Sequence, residues 1–145
     1  MPDLGPIFVD SVYLIALLSP NDDWRKAAIA AERQVPSHIT MVLSDGIILE
    51  TLAHFSRTPR EFRINLVDHV QAMKRDPFYR FVPHQQPLME NALDIYGGEF
   101  ANSSLSLQDC VSILIMREYG ITSILTADQE FTRAGFTPLL RRYVD

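Results

Sequence analysis

The chain predicts an α/β fold built on a mostly parallel sheet with helices on both faces. Three features carry that prediction. Apolar runs of about five residues, rich in aliphatic and β-branched side chains, recur along the chain; longer amphipathic segments separate them; cap or turn residues mark the junctions. Strands that alternate with helical segments need crossover connections, and crossovers leave neighbouring strands parallel.

Taken in order, Ile7-Phe8-Val9 reads as a buried strand ending at Asp10. Val12 to Leu18 stays apolar for too long to extend that strand and reads as a helix. Ser19-Pro20-Asn21 breaks it; Asn21 is placed to cap the next helix, with Asp22 and Asp23 at its positive end, running to about Arg33. His38 to Leu43 reads as the second strand, and Ser44 as the N-cap of a helix through Ile47, Ile48, Leu52 and Phe55. Thr58-Pro59 resembles a cap followed by proline at the first helical position, opening a helix to Lys74. Phe78 to Val82 is the third strand, and Leu88 to Tyr96 an amphipathic helix stopped at Gly97-Gly98, where glycine permits a left-handed cap. Ser106-Leu107-Gln108-Asp109 fits a capping box before the run Val111, Ile113, Leu114, Ile115, Met116, and Gly120 closes that helix. Ile121 to Leu125 is the fourth strand, Thr126 to Ala134 a short helix stopped by Gly135, and Phe136 to Leu140 a fifth strand whose Pro138 favours an edge.

Composition bounds the function classes. With 145 residues, 47% apolar and 21% charged, the chain is long enough for one core and too apolar for a disordered segment or a long coiled coil. No repeat or linker divides it, so one domain over 1–145 is expected. The single cysteine, Cys110, excludes an intrachain disulfide framework and a cysteine-based zinc ribbon. No apolar run approaches the roughly 20 residues that span a bilayer. The segment MPDLGPIFVD has no basic stretch leading into an apolar one, so a soluble, cytoplasmic protein is expected, with no membrane partner. A net charge of −5 argues against a simple basic nucleic-acid coat. Between Arg57 and Arg80, however, six basic residues stand against three acidic ones, a local surplus within a global deficit.

In sheets of this kind ligands bind beyond the carboxyl ends of the strands. Asp10 directly follows the first strand, and Asp128 comes three residues after the fourth. Asp109 opens a helix whose start faces the same edge. Glu50 lies six residues past Ser44, roughly 9 Å along its helix, and can lean back towards that edge. Four acids distant in sequence thus converge. Packed carboxylates repel and need protons or cations, and no Lys or Arg neighbours Asp10, Glu50 or Asp109 in sequence. Oxygen-only donors suit Mg²⁺ or Mn²⁺, which can lower the pKa of a bound water and support displacement at phosphorus; phosphodiester hydrolysis is the reaction class that follows.

Each acid also has a plain structural use. Asp10 can cap the helix after the first strand, Asp109 can complete its box with Ser106, and Asp128 lies inside Thr126-Ala127-Asp128-Gln129, itself a fit to a capping box. Glu50 sits among Ile47, Ile48, Leu49 and Leu52, where a carboxylate needs a partner unless it faces solvent with His54 and Arg57.

Phe8-Val9-Asp10-Ser11, Ser44 with Glu50-Thr51, Ser106-Leu107-Gln108-Asp109-Cys110, and Thr126-Ala127-Asp128-Gln129-Glu130-Phe131 resemble, in order and spacing, the PIN-domain ribonucleases, and the length and layout are similar to VapC toxins of toxin–antitoxin pairs. The resemblance implies a three-layer α/β/α fold with sheet order 3-2-1-4-5. It implies Mg²⁺- or Mn²⁺-dependent endonucleolytic cleavage of RNA, with Asp10, Glu50, Asp109 and Asp128 as both metal-binding and catalytic acids. It further implies a homodimer, a cognate antitoxin protein blocking the site, and partner binding by the helices at about 46–75. Ser11, Ser106 and Thr126 match the small polar positions that accompany these acids, where a hydroxyl can orient a carboxylate or a bound water; helix capping is the role favoured for them. The last motif often has a basic residue or His before its Phe, and here that place is taken by Glu130.

Other residues call for no site. Trp24, Phe62, Phe78, Tyr79 and Phe81 read as core aromatics, the four histidines lack metal-like spacing, and Cys110 reads as a buried hydrophobe. Arg57, Arg60 and Arg63 share one helical face, solvated or facing phosphate or an acidic partner. Two rival functions remain: a catalytically inactive PIN-like module that binds RNA or a partner protein, and a phosphoacceptor receiver domain. The second needs an acidic pair at the first strand end and a lysine after the last strand. The chain's lysines, Lys26 and Lys74, stand elsewhere.

Overall fold

The computed structural model describes residues 5–141; residues 1–4 and 142–145, the ends of the expected domain, lie outside it. Strands β1 (Ile7–Val9), β2 (Met41–Ser44), β3 (Tyr79–Val82), β4 (Ser123–Leu125) and β5 (Thr137–Pro138) form one sheet in the order β3-β2-β1-β4-β5, every pair parallel. This is the expected order 3-2-1-4-5. Helices α1 (Ser11–Leu18) and α2 (Arg25–Gln34) join β1 to β2. Helices α3 (Asp45–His54) and α4 (Arg60–Arg75) lead to β3, and α5 (Gln86–Tyr96) and α6 (Leu107–Tyr119) return the chain to β4.

The central strands are the apolar ones. β1 and β2 are buried throughout, whereas the edge strands β3 and β5 expose Arg80 and Thr137. Pro138 sits on edge strand β5, where its missing N–H costs no ladder bond to a further strand. With right-handed crossovers, α1 to α4 cover one face and α5 and α6 the other, in keeping with the packing of α1 on α2 and α3 and of α5 on α6. Strand order reverses between β1 and β4, so the crevice at their carboxyl ends is the topological switch point.

Several local expectations need correction. Asn21 does not cap α2: the chain enters through a turn in which the Asp22 side chain accepts the Trp24 N–H at 2.8 Å, and Trp24 precedes the helix. Pro59 is the residue before α4, not its first helical residue, because its ψ of 159° is extended. Arg57 therefore precedes the helix that carries Arg60 and Arg63. Helix α5 ends at Gly97 with φ −90°, with no left-handed cap; positive φ occurs at Gly120 (67°) and Gly135 (91°). Residues Gln129–Ala134 form a 3-10 helix capped by Asp128, and the Thr126–Gln129 box does not form. Phe78 is 44% exposed, outside the core.

Candidate active site

The four acids come from four places on one edge of the sheet. Asp10 is the N-cap of α1: its Oδ1 accepts the Ser11 N–H at 2.9 Å, and its Oδ2 accepts the Thr126 hydroxyl at 2.7 Å. It is 3% exposed. Burial, with the charges of Asp109 and Glu50 adding to it against those two hydrogen bonds, pushes its pKa up to about 7. Asp109 completes the capping box of α6, its Oδ2 accepting the Ser106 N–H at 2.9 Å while Ser106 Oγ accepts the Asp109 N–H at 3.0 Å. Burial raises its pKa too, with Glu50 and Asp128 contributing repulsion. Asp128 caps the 3-10 helix through the Glu130 N–H at 2.9 Å.

Glu50 settles the question of its own face. It is half-buried, and its Oε1 accepts the Ser11 hydroxyl from the start of α1. Of its two readings the solvent stripe with His54 and Arg57 does not hold it, because α3 packs on α1 and turns Glu50 into that contact, towards the edge as expected. The plain uses of Asp10, Asp109 and Asp128 as caps are also real. Yet each cap on Asp109 and Asp128 engages one oxygen, and Oδ1 of Asp109, Oδ2 of Asp128 and Oε2 of Glu50 receive no hydrogen bond from a described residue. No described Lys or Arg pairs with any of the four.

Two hydroxyls tie the acids together. Thr126, fully buried, donates to Asp10 and accepts the Asp128 N–H at 3.2 Å, so one side chain fixes the ends of β1 and β4. Ser11 links α1 to Glu50. Of the three hydroxyls, Ser106 fills the capping role, while Ser11 and Thr126 each hold a carboxylate, the other role that the resemblance implied. Which acid each one reaches is set by packing between elements, where sequence spacing carries no signal. Glu130, in the place of a basic residue, lies 3.4 Å from Arg133 Nη1, which offsets part of its charge.

Oxygen donors without a cationic partner among the described residues, with burial and neighbouring carboxylates raising the pKa of Asp10 and Asp109, have the chemistry that a hard divalent cation satisfies. Among the described residues no three acidic, His or Cys groups stand as a ready-made cage. Mg²⁺ does not require one, since it keeps several waters and binds through one or two carboxylates plus substrate phosphate. An open cavity of about 500 Å³ lies elsewhere, on α4, lined by Arg60, Arg63, Ile64, Val67 and Asp68. Its aliphatic and guanidinium lining offers contact surface, with no grouped nucleophile or acid–base pair for hydrolysis. Cys110 is fully buried, and His38, His54, His69 and His84 are exposed and stand in no cluster. No described helix is long and apolar enough to cross a membrane.

Comparison with known proteins agrees with this architecture. No curated protein matches the chain. Among solved structures, VapC20 of Mycobacterium tuberculosis, described as a sarcin–ricin loop cleaving toxin, superposes with a TM-score of 0.79 at 22% identity, covering 93% of this chain and 99% of that one. FitAcB from Neisseria gonorrhoeae gives a TM-score of 0.68 at 14% identity over 92% and 96% of the two chains. Likeness at these identities speaks to the fold. The PIN domain family matches residues 7–137, nearly the whole described chain. With that match and this sheet, the chain belongs to the PIN domain family.

Proposed function

We propose that this PIN domain, one unit over 1–145, is a Mg²⁺- or Mn²⁺-dependent endoribonuclease, the toxin of a type II toxin–antitoxin pair. The observation that carries the reading is the set of four acids from four elements, mutually repelling at the switch point and without a cationic partner among the described residues. VapC20, a toxin by its description, supports it through its shared fold.

Asp10, Asp109 and Glu50 would hold the main ion, and Asp128 a second ion or the attacking water. A divalent ion bound there supplies a water of lowered pKa and charge neutralisation at the phosphoryl oxygens. The chain's own residues do the rest. Asp10 is fixed at both oxygens, so its carboxylate cannot turn away from the crevice. Ser11 orients Glu50, and the Ser106 cap orients Asp109. Binding of a cation favours ionised Asp10, whose raised pKa otherwise keeps much of it protonated near neutrality.

RNA as substrate, a cognate antitoxin, a homodimer and a cytoplasmic location belong to the same proposal. Exposed Leu49, Leu93 and Tyr96, together with Ile64 and Val67 beside Arg60 and Arg63, support partner surfaces, α4 lying within residues 46–75.

The test is cleavage of mixed-sequence RNA in Mn²⁺ by protein freed of any co-purifying partner, beside an EDTA control and Asp10→Asn. Cleavage that needs both the metal and Asp10 is expected. RNA binding that persists in EDTA with no cleavage in Mn²⁺ would favour the inactive binding module instead.

A further inference from the structure

Gln108 stands beside Asp109 in the first turn of α6, and its own side chain has no role in the reading above. Its carboxamide lies against Gly46 in the first turn of α3. A Cβ built on Gly46 would meet Gln108 Oε1 at 2.1 Å, Cδ at 2.8 Å and Nε2 at 2.9 Å, so the amide occupies the space that any side chain at 46 would need. Gln108 Nε2 is buried and bonds to no described residue. Four residues on, and on the same side of α6, the Ser112 hydroxyl is likewise buried with no partner among the described residues. Polar groups in that state are held by fit, since no hydrogen bond rewards their place.

The location gives the contact its meaning. Gly46 precedes Glu50 by four residues and so shares its face of α3, while Gln108 is the neighbour of Asp109. The contact thus joins the two helices that carry Glu50 and Asp109, which lie on opposite faces of the sheet and meet at its carboxyl edge. Those two acids feel one another's charge, so a small change in helix separation changes how they share a cation. We propose that Gln108 is a positioning residue: seated in the notch left by Gly46, its carboxamide sets the gap between the first turns of α3 and α6 and with it the separation of Glu50 from Asp109. The inference rests on the metal-binding reading above and adds to it a spacer outside the acids.

The experiment is a calorimetric Mn²⁺ titration of the full chain, comparing wild type with Gln108→Ala, Gln108→Met and Gly46→Ala, each checked by circular dichroism for native fold. Gln108→Ala removes the spacer and Gly46→Ala expels it, so each weakens Mn²⁺ binding by about tenfold. Methionine matches glutamine in length and makes no amide bonds, so Gln108→Met stays within about twofold of wild type. Wild-type affinity in folded Gln108→Ala or Gly46→Ala overturns the proposal, as does Gln108→Met falling as far as Gln108→Ala, which would make the amide and not its volume the active part. If wild type itself binds no Mn²⁺, the metal reading fails and this inference falls with it; if wild type binds and the variants bind equally, only this inference fails.

Discussion

Helices α6 and α4 differ little in length and sharply in use. α6 buries Cys110, Val111, Ser112, Ile113, Ile115 and Met116, and opens with a complete capping box; α4, longer by three residues at 16 against 13, buries Leu66 alone and has no side-chain cap. The first is gripped by the core and holds Asp109 at a fixed place on the sheet edge. The second lies on the surface and presents Ile64, 43% exposed, and Val67, 49% exposed, between guanidinium groups. The contrast separates a helix held by the core from one left at the surface, and substitutions at the two should differ in kind.

The largest effect belongs to Asp10. Asp10→Asn should lower RNA cleavage by about a thousandfold or more, because the site loses the carboxylate fixed at its centre. In the absence of divalent ions the same change should stabilise the protein at pH 8. Folded Asp10 keeps its proton up to about pH 7, while the unfolded chain releases it near the ordinary 3.8, so the wild type loses stability as pH rises between those values. The total is about 4 kcal/mol at most. Denaturant melts of both proteins at pH 4 and pH 8 check the sign: the gap should open in favour of Asn at the higher pH. A wild type that gains stability over this window relative to Asp10→Asn would contradict the buried-carboxylate account.

Next comes Thr126→Val, which leaves an Asp10 oxygen without its donor and the Asp128 N–H without its acceptor in a fully buried place. A loss of about 2–3 kcal/mol in urea denaturation is expected, with cleavage reduced as well. Ser106→Ala should cost about 1 kcal/mol through loss of the α6 cap. At the small end, Ile64→Ser on α4 should shift stability by no more than about 0.5 kcal/mol and leave cleavage unchanged, while weakening capture of a protein partner. A large stability loss at Ile64 would erase the contrast between the two helices.

The contrast was only partly legible in the sequence. Strands and helices announce themselves through period and caps, and the parallel sheet follows from their alternation. Asp10 and Asp128 were legible as residues following strand ends, and Asp109 and Glu50 by their places in helices that start at the same edge. Their hydroxyl partners were not: Thr126 reaches Asp10 over 116 positions and Ser11 reaches Glu50 over 39, and local spacing predicts neither bond. A hydroxyl next to a helix start reads as a cap whether or not it becomes one, so spacing favours the cap at all three positions; Ser106 takes it, while Ser11 and Thr126 take the carboxylate-orienting role instead. Glu50 left two directions open in its own helix, and the packing of α1 beside α3 selects the one towards the site. Gln108 and Gly46 were silent for a related reason: their contact bridges two elements, and a glycine inside a helix shows in sequence only as a weak helix former. The α2 entry and the 3-10 turn departed from expectation where short polar clusters offer several competing caps.

The central claim is that four separated acids form one cation site. Its most direct test is the Mn²⁺ affinity of the intact protein and of Asp10→Asn, Glu50→Gln, Asp109→Asn and Asp128→Asn, measured by calorimetry at pH 7.5. The account predicts that wild type binds, that Asp10→Asn and Asp109→Asn weaken binding by about tenfold or more, and that Glu50→Gln and Asp128→Asn weaken it less. Binding of wild-type strength in all four variants would contradict it.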